Sequence, residues 1–119
     1  MREIKFRAWV DGEKMINDVG NNLGYYLGTK DSCELMQYTG LKDKNGKEIY
    51  EGDIIDNGEG MELTIVEYVE DMFHLKSTKY PNLSKGNYRL ATYVGLGCEI
   101  IGNIYENPEL LSGVKKEGK

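Results

Sequence analysis

The 119-residue chain has the length of one domain and can bury a core without disulfide or metal staples. Charged residues make up 29% and hydrophobic ones 39%, which excludes a disordered polar chain, and no apolar run approaches the roughly 18 residues of a membrane span. The net charge of −5 weighs against a broad grip on a phosphate backbone while leaving a local basic patch open.

The first residues alternate: Ile4, Phe6, Ala8 and Val10 share one face of a strand, and Lys5, Arg7 and Trp9 the other. This alternation is unlike the apolar core of a signal peptide, so the expected location is the cytoplasm. Asp11-Gly12 makes a turn and Lys14 to Ile16 a short return strand. Asn17 to Thr29 reads as a loop carrying Tyr25 and Tyr26. Glu34 to Tyr38 is the next short strand. Asn45-Gly46, the strongest turn signal, joins two arms. Gly52-Asp53 interrupts the second arm, and Ile54-Ile55 resume it.

Met61 to Val69 is a strand whose apolar residues switch faces at Val66, the mark of a bulge or of burial on both sides. Met72 to Lys76 pairs back, with Phe73 and Leu75 on one face. Thr78 to Tyr93 reads as an irregular loop, and Cys98 to Tyr105 as the last strand, with a bulge or a close backbone at Gly102. Asn107-Pro108-Glu109 carries a helix-start signature in which Asn caps one helical turn. The 15 glycines are nearly twice the typical share of about 7%, and they punctuate short strands. The expected fold is mainly β: a small antiparallel barrel, SH3-like or related, over residues 48–105. Residues 1–40 form an N-terminal strand pair packed on it or at its edge. Residues 1–111 make one domain and 112–119 a frayed tail.

Chemical motifs are sparse. His74 has no partner at ligand spacing, and no Cys-x-x-Cys or His-x-x-x-His occurs, so neither a metal nor any other cofactor is expected. Cys33 and Cys98 fit reduced core thiols better than a framework, with a bridge between them left open. Neither has a neighbouring base of the kind a cysteine nucleophile needs, and the chain reads as a non-enzyme. Asp53 is expected to close a turn on nearby N–H groups, with Glu51 and Asp56 solvated. The candidate interaction surface comprises Phe6 and Trp9 on the first strand, Tyr25 and Tyr26, and the loop residues Lys79, Tyr80, Lys85, Tyr88 and Arg89. The last five, with Lys76, interleave cations and aromatics and could stack on a single strand of nucleic acid. An alternating strand with aromatics on both faces instead favours self-association or a protein partner.

MREIKFRAW at the start, Lys14-Met15, MQYTGLKDKNGKEIYEGDII in the middle and EIIGNIYENPELL near the end follow one pattern in order. Through these segments the chain resembles the YopX family of small phage and prophage proteins. The likeness is loose over 17–34 and 59–97. It implies a β-rich fold and a phage or prophage gene in a bacterial host; beside self-association, a host or phage protein is the other expected protein partner. The likeness carries no established activity and no catalytic residues.

Overall fold

The computed structural model describes residues 4–20, 33–56, 63–69, 72–77, 90–95 and 97–111. Among the described residues, eight strands and one short helix, besides a helical turn over 109–111, follow in order: β1 (Phe6–Val10), β2 (Lys14–Ile16), β3 (Cys33–Lys42), β4 (Glu48–Tyr50), β5 (Asp53–Asp56), β6 (Leu63–Val69), β7 (Met72–Ser77), α1 (Leu90–Gly95) and β8 (Glu99–Asn103). They form two four-stranded antiparallel sheets, ordered β2-β1-β3-β4 and β7-β6-β5-β8. The fold is mainly β, a small antiparallel barrel whose halves are these sheets.

The expected boundaries need one correction. β4 belongs to the N-terminal sheet, so the chain divides at Glu51-Gly52 and not near residue 48. The bend is tight because Gly52 adopts φ +86, where a Cβ is strained, and a Cβ there would also meet Met36 Sδ at 3.3 Å. Gly52 N donates to Val66 O and its carbonyl accepts from Ile104 N, each at 2.9 Å, which fastens the bend to the second sheet.

Alternation predicts the cores apart from Ile4, which precedes β1 and is 65% exposed. Ala8 and Val10 bury with Val19, and Phe6 packs against them. Ile49, Ile55, Val66, Leu75, Leu90 and Cys98 form the second cluster, against which Phe73 and Ile100 pack. Each large apolar side chain so buried contributes about 1.5–3 kcal/mol. β6 keeps a regular register with β5 and β7, so its switch of faces is no bulge; Val66 is buried in the second core, and Tyr68, on the same face, is half exposed. The bulges lie elsewhere. One falls in β3 between Tyr38 and Lys42, and the other at Ile101 of β8, which is extra between Ile100 and Gly102 opposite Ile55 and Ile54.

Two expectations are overturned. The stretch read as irregular to Tyr93 ends in α1, which begins at Leu90. LATYVG is too short and too β-branched to hold a helix by propensity, and full burial of Leu90 in the second core anchors it. The helical turn near the end exists over 109–111, but Asn107 does not cap it as expected. Its Oδ1 turns back and accepts from Asn103 N at 3.0 Å. Residues 112–119 lie outside the described residues. Among the described residues, no helix is long and apolar enough to cross a membrane.

Candidate functional site

Arg7, on the face of β1 that it shares with Lys5 and Trp9, is only 8% exposed. Its Nη2 donates to Asp53 Oδ1 at 2.7 Å and to Glu51 O at 3.2 Å, and its Nε to Met36 Sδ at 3.4 Å. The guanidinium lies over the Tyr50 ring at 4.7 Å, Tyr50 packs on Tyr38 at 5.5 Å, and Lys5 covers Tyr38 at 5.2 Å. Lys5 also pairs with Glu48 at 2.6 Å. Cations and rings thus alternate from the rim of the sheet to the junction with the second sheet.

Asp53 is the other half of that junction. The first residue of β5, it is 2% exposed, and its Oδ2 accepts from Tyr50 N at 2.8 Å. The expected turn-closing bond is present, and the ion pair to Arg7 adds a tie between the sheets. Burial pushes the Asp53 carboxyl above its ordinary value, and Arg7 and the Tyr50 N–H only partly pull it back. Glu51, expected to be solvated, accepts from Gln37 N at 2.7 Å and is half-buried.

Asp43 performs the same office for β8. Oδ1 accepts from Asn45 N and Lys47 N, which shapes the Asn45-Gly46 turn, and Oδ2 accepts from Ile100 N, all at 2.9 Å. Burial pushes this carboxyl up, but the three backbone donors together outweigh it and hold it below 3.8. Since its folded value is lowered, the unfolded chain binds the extra proton as acid is added. The stability from Asp43 is therefore full above 3.8 and is lost as pH falls through the folded value. Asp43→Asn is expected to cost about 1.5–3 kcal/mol at neutral pH. Urea unfolding should show this deficit shrinking well below 3.8.

Asp43, Asp53 and Asn107 therefore close backbone donors along β4 and β8. Tyr50 N, Ile100 N and Asn103 N each end on a side-chain oxygen. These edges are sealed against another strand. Between them opens a polar cleft of about 330 Å³, lined by Arg7, Asn17, Lys47 and Glu48 from the N-terminal part and by Asp53, Ile100–Asn103, Glu106 and Asn107 from the β5–β8 side. The segments that carry the family likeness meet at this cleft. A second groove of about 280 Å³ runs over Gly52 between Met36, Ile65 and Tyr105, with Glu51, Glu67 and Lys76 at its walls.

Of the surface expected from the sequence, Phe6 and Trp9 are described. Phe6 packs on the first core, and Trp9 stacks on Tyr105 at 5.9 Å. β1 is an inner strand paired on both sides, so it offers no edge to another chain. Tyr25, Tyr26, Lys79, Tyr80, Lys85, Tyr88 and Arg89 lie outside the described residues. Lys76 shares the second groove with two glutamates. Cys33 and Cys98 form no disulfide and belong to different cores. Burial, and after it Asp43, raises the Cys98 thiol, which keeps it protonated. His74 pairs across from Glu67. Among the described residues, no group of three His, Cys, Asp or Glu could hold a metal ion. Sequence reasoning missed Arg7, Asp43 and Asn107; a lone arginine inside an alternating strand was the one available signal for the first.

No curated protein matches the chain. Among solved structures it is similar to protein EF1440 from Enterococcus faecalis, at 26% identity and a TM-score of 0.63, covering 93% of this chain and 99% of that one. The profile of the family described as YopX protein matches residues 5–112, nearly the whole chain. The chain belongs to the YopX family.

Proposed function

We propose that this domain, the product of a phage or prophage gene acting in a bacterial cytoplasm, is a non-enzymatic protein-interaction module that pairs with a second copy of itself. The observation that carries the reading is the β6–β7 ribbon. β5 pairs with β6 only from Leu63 to Ile65, so Glu67–Val69 and the facing Met72–His74 overhang the sheet. Tyr68 is 50% exposed there and Met72 36%, with Phe73 edge-on to the Tyr68 ring at 4.9 Å.

A two-stranded ribbon is marginal in water without further cover. β7 lies at the outside of its sheet, and its six residues, MFHLKS, hold one charge that could discourage pairing, Lys76. Because β4 and β8 are sealed and β2 has only three residues, β7 is the longest edge left open among the described residues. Two copies meeting edge to edge about a two-fold axis would offer each other the same donors and acceptors. The carboxylates of Asp43, Glu51 and Asp53 at the sheet junction are bonded to backbone N–H groups or to Arg7, which supports a scaffold reading over a catalytic one.

Light scattering of the purified chain at roughly micromolar concentration is expected to give a dimer. Tyr68→Lys is expected to give a folded monomer whose circular-dichroism spectrum matches that of the unaltered chain, with a lower urea midpoint because the cover of the second copy is lost. A monomer for the unaltered chain overturns the reading.

A further inference from the structure

Arg7 has more donors than the junction uses. A guanidinium carries five N–H groups. Nε–H goes to Met36 Sδ, and the two on Nη2 go to Asp53 Oδ1 and Glu51 O. The two on Nη1 have no acceptor among the described residues, although the side chain is nine-tenths buried. Buried donors left open are rare and call for a partner. Arg7 lines the 330 Å³ cleft, and so does Asn107, whose Oδ1 is taken by Asn103 N while its Nδ2 hydrogens are uncommitted. Glu106, on the same wall, gives Oε1 to Asn103 Nδ2 and keeps Oε2.

We infer that this cleft binds a neutral amide group, as carried by a peptide backbone or a carboxamide side chain. The charge balance selects the class. Asp53 already neutralises Arg7 at 2.7 Å and Lys5 pairs with Glu48 at 2.6 Å; the lining itself sets Arg7 and Lys47 against Asp53, Glu48 and Glu106, so a further anion would enter a space with more carboxylates than cations. An amide meets no such repulsion. Its carbonyl accepts from Arg7 Nη1 or Asn107 Nδ2, and its N–H donates to Glu106. The volume lies at the small end of ligand cavities, which run from about 300 Å³. Strand addition is not the mode, because the β8 edge is closed by Asp43 and Asn107.

The test is an NMR titration of the isotope-labelled full chain with N-acetylglycine methylamide, acetamide and acetate at matched ionic strength. The peptide amide is expected to shift the Asn107 side-chain amide and the Gly102 N–H saturably, with a Kd of about 1–10 mM. Tighter binding of the peptide amide than of acetamide identifies a backbone ligand, and equal binding identifies a carboxamide. Acetate is expected to leave these signals in place. Ile101→Trp, at the exposed bulge residue lining the cleft, should weaken binding about tenfold without touching the Arg7–Asp53 pair. Arg7→Lys, which keeps a cation but removes Nη1, should abolish it. Absence of saturable shifts, equal binding of acetate, or unchanged affinity in Ile101→Trp overturns the inference. Tyr68→Lys keeps the cleft intact, so its titration separates this site from self-association.

Discussion

Arg7→Met should destabilise the fold by about 3–5 kcal/mol, the cost of leaving a buried carboxylate without its cation. The loss should appear as a lower urea midpoint at unchanged slope. Methionine fills much of the arginine volume, so packing changes little and the electrostatic cost dominates. Asp53 cannot swing to water to escape, because its Oδ2 is bound to Tyr50 N and the residue is 2% exposed.

The pH dependence separates this cause from simple packing. The folded value of Asp53 lies above 3.8, so its neutral form is favoured in the fold. Its contribution to stability is full below 3.8 and is lost as pH rises through the folded value. Arg7 pulls that value down. Without Arg7 the carboxyl stays protonated to higher pH, and stability declines over a longer range. The deficit of Arg7→Met should therefore open between the two folded values and close toward acid. A deficit that stays constant across pH would assign the loss to packing. Asp43 behaves in the opposite sense, because backbone donors hold its anion in place. The two buried carboxylates thus give the fold two acid responses of opposite sign.

The strands and turns were legible in the sequence because local rules specify them. Alternation marks β1, Asp11-Gly12 and Asn45-Gly46 mark turns, and Ile54-Ile55 mark a buried strand. What stayed hidden depends on residues far apart in sequence. Arg7 and Asp53 are 46 positions apart, and Asp43 and Ile100 are 57 apart. No period or spacing links such pairs before the sheets are stacked. α1 was missed for a related reason, since the burial of Leu90 holds it and propensity does not. The stack of Trp9 on Tyr105 was hidden in the same way, because the two rings lie at opposite ends of the sequence. The cleft is built of these long-range pairs, so its existence was not legible although most of its residues lie in the family-like segments.

Gly102→Ala should cost about 2–4 kcal/mol, from overpacking together with a stranded N–H. A Cβ at Gly102 would lie 2.6 Å from Asn107 Oδ1 and 2.8 Å from its Cγ, closer than side-chain atoms approach. Either the strand or Asn107 must move. If Asn107 moves, Asn103 N loses its acceptor. Asn103 in turn orients the last turn, since its Oδ1 accepts from Tyr105 N at 3.0 Å and from Glu106 N at 2.8 Å. Displacement would pass along the bulge to Tyr105 and loosen its stack on Trp9. The two costs share one atom, so they should not add. Asn107→Ala alone should cost about 1–3 kcal/mol, and Gly102→Ala made in that background should cost about 1 kcal/mol or less, because the two contacts below 3.0 Å are gone and only the one with the Cβ of residue 107, at 3.0 Å, remains. Urea midpoints of the four proteins close the cycle. Additive losses would mean that Gly102 answers to backbone conformation, and that Asn107 does not need the space above it.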